Sequence, residues 1–422
     1  MASLSSLLVR LCGSLVLVAA TVNSASPQND AGALPRSKVF RQVRELGALG
    51  RKLFNDPALS ASGTLACSTC HSPAHAFGPP NGLAVQLGGA DMHQPGRRAV
   101  PSLRYLQASP PFTEHYFDSD DDGDESVDNG PTGGLTWDGR ADRGSEQALM
   151  PLLSPYEMAN ANTAEVVARV RKAGYDDAIR HIYGDSVLDS KDQTFNAIVK
   201  ALEVYEQDPT DFYPYSSKYD AYLAGTAELT PQEARGLALF NDPDRANCAD
   251  CHISKRGNDG TPPQFTDYGL IAIGVPRNRN IPANTDPNYV DLGVCGPYRT
   301  DFGDRAEYCG LFMTPTLRNV ATRTTFFHNG VFSTLRQVLE FYVERDIHPE
   351  KWYARGPNGK VQIYDDLPSE YHTNLNTDPP FDRLPGDPPA LNSSEIDDII
   401  AFLQTLNDGY QPKEQTSASA VK

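Results

Sequence analysis

Apolar residues recur at helical spacing in both halves of the chain. Val39, Val43, Leu46, Leu49 and Leu53 predict a helix that runs out through Gly50-Arg-Lys-Leu-Phe-Asn-Asp-Pro57. A second helix opens with Thr230, Pro231 and Glu233, a capping box with proline in the first turn. It runs out through Gly236-Leu-Ala-Leu-Phe-Asn-Asp-Pro243, nearly the same words. Each half closes with an amphipathic helix, one over 195–205 and one over 395–406, where Ile396, Ile399, Ile400, Phe402 and Leu403 are apolar. Strand signals are few. The pattern predicts a mainly α fold of two similar helical domains joined by long loops, built by duplication of one unit. The domains are read as 36–225 and 226–411, with a Pro-, Tyr- and Asp-rich approach over 207–222 and a disordered tail over 412–422.

A different apolar run opens the chain. It covers 11–22, follows the single charge Arg10 and ends near Ser24 and Ala25. That is the form of a secretory signal over 1–25, too short to span a bilayer. Cys12 lacks the preceding small residue of a lipid-anchor site. The mature protein is therefore expected to be exported, to a bacterial periplasm, without membrane insertion. The formal charge of −17 argues against a nucleic-acid partner. The acidic stretch 118–128 reads as a surface insertion. Asp118, Asp120, Asp122 and Gly123 match the first half of a calcium loop, but position twelve is Asn129 rather than Glu. A solvated acidic loop and a metal site are both readings of it.

The cysteines carry the chemistry. Cys67-Ser-Thr-Cys70-His71 and Cys248-Ala-Asp-Cys251-His252 each follow one copy of the repeated segment. Two thiols one helical turn apart can add to the two vinyl groups of one haem, and the next histidine reaches its iron. This spacing marks covalent c-type haem attachment. A zinc site would want the two pairs much closer together, and a redox CxxC needs no histidine. Cys295 and Cys309 remain, and in an oxidising compartment they are expected to form a disulfide.

With these motifs the sequence resembles the bacterial di-haem cytochrome c peroxidase and MauG superfamily. Trp137-Asp-Gly-Arg140 looks like its inter-haem tryptophan motif, and Gln147, Pro151 and Glu157 stand at the offsets of its distal-pocket residues. Pro315-Thr-Leu-Arg-Asn-Val320 and Phe326-Phe-His-Asn-Gly330 look like its second-domain signature. Fourteen residues after His328, where the cytochrome c peroxidases carry methionine as a haem ligand, this chain has Tyr342. Tyrosine there marks the MauG-like branch. An anionic phenolate stabilises ferric and higher iron, whereas a thioether favours ferrous iron.

The resemblance implies an exported peroxidase that uses hydrogen peroxide to reach a high-valent di-haem state. That state then oxidises a partner, an aromatic residue of a protein. It implies His71 as ligand of the first iron, His252 and Tyr342 as ligands of the second, Glu157 as acid/base and Trp137 as electron relay. Gln147 and Pro151 would shape the pocket. The runner-up is a peroxide scavenger fed by a small cytochrome; a bare electron carrier would not need the Trp137, Gln147, Pro151 and Glu157 set. The family also holds a calcium between the haems. Here Ala99 replaces a ligating Asn, and Thr325 stands where the family has Pro. His328 reads as a structural hydrogen-bonder between domains. His93 lies near the loop that caps the first haem in resting cytochrome c peroxidases, and His75 reads as a plain loop histidine.

Overall fold

The computed structural model describes residues 36–117 and 128–412. The expected signal peptide, the acidic calcium-like loop and nearly all of the expected tail lie outside these residues. Residues 42–412 belong to one compact unit; the first helical turns, 36–41, belong to a separate one. As the periodicity predicts, the fold is mainly helical. Its only named strands among the described residues are two short antiparallel pairs. Leu87–Gly88 pairs with Gln94–Pro95, and Leu270–Ile271 pairs with Phe312–Met313.

Two apolar cores form inside the large unit. The first draws on residues between 46 and 212, the second on residues between 219 and 406. The apolar division thus falls between Phe212 and Tyr219, ahead of residue 225. Tyr219 packs edge-on against Phe265 and Phe402, with ring centroids 5.4 Å from each.

The repeated glycine explains how each core closes. A Cβ on Gly50 would sit 1.9 Å from the Ala201 carbonyl oxygen, and one on Gly236 would sit 2.0 Å from that of Asp398. So the Arg36–Phe54 helix lies backbone to backbone on Lys191–Tyr205, and Pro231–Phe240 lies the same way on Ser393–Gln404. Only glycine permits this approach. The aromatic residue four places on then meets the partner helix: Phe54 packs on Tyr205 at 5.4 Å, and Phe240 on Phe402 at 5.1 Å. A third, smaller apolar cluster includes Leu270, Val294, Phe302, Tyr308 and Leu311. There Cys295 and Cys309 form the expected disulfide, their Cα atoms 5.0 Å apart.

Candidate functional site

Each CxxCH folds as one short helical turn, Cys67–Cys70 and Cys248–Cys251, with the histidine as its C-cap. The four thiols are free rather than paired with each other. The histidines are fixed in the same way. His71 Nδ1 lies 3.1 Å from the Phe77 carbonyl oxygen, and His252 Nδ1 lies 3.0 Å from that of Phe265. Phe77 and Phe265 both adopt a left-handed backbone, φ 55°, which turns the carbonyl inward. A carbonyl on Nδ1 sets the tautomer that leaves Nε2 as the lone-pair nitrogen. Burial pushes both imidazoles down to about 4, so each is a neutral potential ligand.

The first turn faces a cavity of about 50 Å³. Its walls bring together Cys67, Cys70, His71, Gln147, Pro151 and Glu157. The spacing along the chain becomes a pocket because Pro151 ends in the last turn of the Gly144–Leu153 helix and the chain then doubles back. The Met158 amide donates to the Pro151 carbonyl at 3.0 Å. Glu157 lines the cavity, and the surrounding protein holds its carboxyl above the usual range, opposed by Ser154 and Arg140. The Leu87–Pro95 hairpin covers this segment. The Gly89 amide donates to the Glu157 carbonyl at 2.8 Å, and a Cβ on Gly88 would meet the Tyr156 carbonyl at 2.2 Å. His93, at the hairpin turn, is exposed and keeps its Nδ1 on the Asp91 carbonyl; it does not line the cavity.

The second turn faces a larger, mostly apolar cavity of about 260 Å³. Cys248, Cys251, His252, Tyr342 and Trp137 all line it. Tyr342 stands on the Leu335–Glu344 helix and stacks on Phe381, with centroids 5.3 Å apart. Arg345 lies over the other partner, 3.8 Å from the Phe381 centroid, and donates to the Ile273 and Asn376 carbonyls. Burial raises the Tyr342 phenol, so it keeps its proton unless a cation faces it.

Trp137 lines the second cavity and is bonded to both halves of the chain. Its indole N–H donates to the Ala99 carbonyl at 2.8 Å, and its own carbonyl accepts from Met313 at 2.8 Å. The next residue, Asp138, is fully buried. Burial opposes its charge, yet Arg98 and Arg140, each at 2.7 Å, hold its carboxyl below the usual range. His328 bonds between the halves, as expected, but not through its ring. Its structural bond between halves is made by its backbone carbonyl, which accepts from the Ala99 amide at 2.7 Å, while its ring stacks flat on Phe312 at 3.6 Å.

Several lining residues escape a reading of the sequence, Glu206, His75 and Arg323 among them. Glu206 reaches the first cavity, and burial followed by Glu203 pushes it up to about 8. His75 and Arg323 reach the second. Glu206 follows directly on the closing amphipathic helix, a weak local signal; the other two sit in loops that carry none.

Comparison with known proteins decides the family. The model of the di-haem cytochrome c peroxidases matches residues 44–228. Methylamine utilization protein MauG of Paracoccus denitrificans is 34% identical, over 97% of this chain and 97% of its own length. This chain belongs to the di-haem cytochrome c peroxidase and MauG family. Members named as cytochrome c peroxidases are more distant: cytochrome c551 peroxidase of Nitrosomonas europaea is 26% identical over 90% of this chain and 84% of its own. The di-haem peroxidase BthA of Burkholderia thailandensis has the same fold, with TM-score 0.74 and 38% identity over 86% of each chain. The mainly helical fold, the peroxidase class and the MauG-like rather than scavenging character expected from the sequence all agree with these relatives.

Proposed function

We propose that this MauG-like di-haem peroxidase works with one haem on Cys67, Cys70 and His71 and another on Cys248, Cys251, His252 and Tyr342. It passes the oxidising power of hydrogen peroxide to an aromatic residue of a protein partner. Free thiols one helical turn apart, carbonyl-fixed neutral imidazoles and apolar cavities are what covalent haem requires. Bound there, the haems supply the reaction with peroxide and the storage of its oxidising equivalents.

The residues of the chain do the rest. Glu157 takes the proton from one peroxide oxygen and returns it to the other, a transfer its raised pKa suits. Gln147 and Pro151 shape the same cavity. Trp137, held by Ala99 and lining the second cavity, carries an electron between the sites. The disulfide fits an oxidising compartment, and the periplasm is its simplest form.

The observation that carries this reading is Tyr342 in the wall of the second cavity beside Cys248, Cys251 and His252. A phenol oxygen there makes a poor entry port for electrons from a cytochrome. The test is twofold. The holoprotein should oxidise reduced cytochrome c slowly, and one equivalent of peroxide should change the spectra of both haems. Rapid sustained turnover of reduced cytochrome c would return the protein to peroxide scavenging.

A further inference from the structure

A short strap, 99–101, links the two halves, and its first two carbonyls each accept a side-chain donor. The Ala99 carbonyl accepts the Trp137 indole N–H at 2.8 Å. The Val100 carbonyl accepts from Arg323 Nη2 at 3.0 Å. Pro101, next along the strap, lines the second cavity together with Arg323. The Ala99 amide binds the His328 carbonyl at 2.7 Å, which anchors the strap to the second half.

Arg323 is the odd member. It is half-buried and lines the second cavity. Among the described residues no carboxylate pairs with it; burial alone lowers its pKa to about 10. It is still a cation at neutral pH. Its hydrogen bonds run to main-chain oxygens only, Val100 from one half and Thr325 from the other, the latter from Nε at 3.2 Å. A charge of this kind is normally paired when taken out of water. Here two carbonyl dipoles, one from each half, stand where a carboxylate partner would.

These are also the segments between which the family places calcium, and the donors do not fit that ion. Calcium takes roughly six to eight oxygens, carboxylates prominent among them. Residue 99 offers a methyl group, and the Ala99, Val100 and Thr325 carbonyls already accept N–H donors. One orphaned oxygen lies here, Thr325 Oγ1, which is a single ligand. Among the described residues, no three His, Cys, Asp or Glu side chains gather to hold a metal. A dication beside a guanidinium in this low-dielectric setting would also meet direct repulsion.

We propose that the Arg323 guanidinium is a built-in cation that takes the place of calcium between the sites, and that it positions the 99–101 strap, and through it Trp137. The proposal rests on the reading of the two CxxCH turns as haem sites, but its first test does not depend on what the haems oxidise. Holoprotein is treated with chelator, desalted, and assayed for calcium by elemental analysis. Fewer than about one ion per ten chains should remain, with unchanged haem spectra and no shift of the melting temperature on adding millimolar calcium. A stoichiometric calcium in the untreated holoprotein, or a melting temperature that calcium restores after chelation, would overturn the proposal. The second test compares Arg323→Gln with Arg323→Lys. The neutral variant should slow the spectral response of the second haem to peroxide by about tenfold or more, as displaced reacting groups do. It should also shift the potential of the first haem, while lysine restores most of both. Wild-type behaviour of Arg323→Gln in rate and potential would overturn the positioning role. A wild type whose second haem ignores peroxide would instead defeat the functional reading, leaving the calcium result to stand by itself.

Discussion

Replacing Glu157 by Gln keeps the volume of the side chain and removes its ability to carry a proton. Glu157 lines the first cavity, of about 50 Å³. The other carboxyl in its wall is Glu206, which is pushed up to about 8 and therefore holds its proton at neutral pH. No second base stands ready. The loss should fall in the range for a removed acid/base group, about 10²- to 10⁴-fold in the rate of reaction with peroxide. That corresponds to about 3–5 kcal/mol in the barrier. Stopped-flow absorbance of the holoprotein mixed with peroxide measures it directly. The pH profile adds a second check. The native rate should decline as pH falls through a carboxyl pKa above the usual 4.5, because the base form is lost. The variant should be slow and flat over that interval. A Glu157→Gln protein that reacts at the native rate, or keeps the native pH profile, would refute the assignment.

Trp137→Phe should leave peroxide consumption at the first haem intact and delay the response of the second; equal speed at both haems would exclude the relay. Gly236→Ala forces a methyl to within 2.0 Å of the Asp398 carbonyl, so helices must part by roughly an ångström, costing about 1–3 kcal/mol. Its melting temperature should fall by several degrees, and calorimetry showing no change would mean the two helices do not touch there. Glu206 is protonated when folded, at pH values below about 8, and ionised above 4.5 when unfolded. Folding then binds a proton, so stability declines as pH rises from 4.5 to 8. Glu206→Gln should abolish part of that decline and be more stable than the native chain at pH 9 by a few kcal/mol; equal denaturation midpoints at pH 5 and pH 9, relative to the native chain, would count against a buried carboxyl. Tyr342→Met should raise the potential of the second haem, and an unchanged potential in a spectroelectrochemical titration would remove Tyr342 from the iron.

Much of the site is legible in the sequence because its parts are local. Two thiols and a histidine on one turn need only five residues to declare themselves. The repeated Gly50 and Gly236 announce a close helix crossing, although only the structure shows that Ala201 and Asp398 are what they approach. Gln147, Pro151 and Glu157 fall in one reversal of the chain, so their offsets survive into geometry. Other parts depend on contacts between distant segments and leave no periodicity. Arg323 meets Val100 across 223 residues of chain. The carbonyls of Phe77 and Phe265 reach their histidines through left-handed turns at non-glycine residues, which no propensity predicts. His328 illustrates the same limit: its motif is visible, but the working atom is a backbone oxygen rather than the ring.

Central to the proposed function, the Tyr342 oxygen would bind the iron of a haem held by Cys248, Cys251 and His252. Resonance Raman spectroscopy of the ferric holoprotein, native and Tyr342→Phe, reads that atom directly. Phenolate modes present in the native protein and lost in the variant are the predicted result. Thioether or bis-imidazole ligation in the native protein, with no response to Tyr342→Phe, would contradict it.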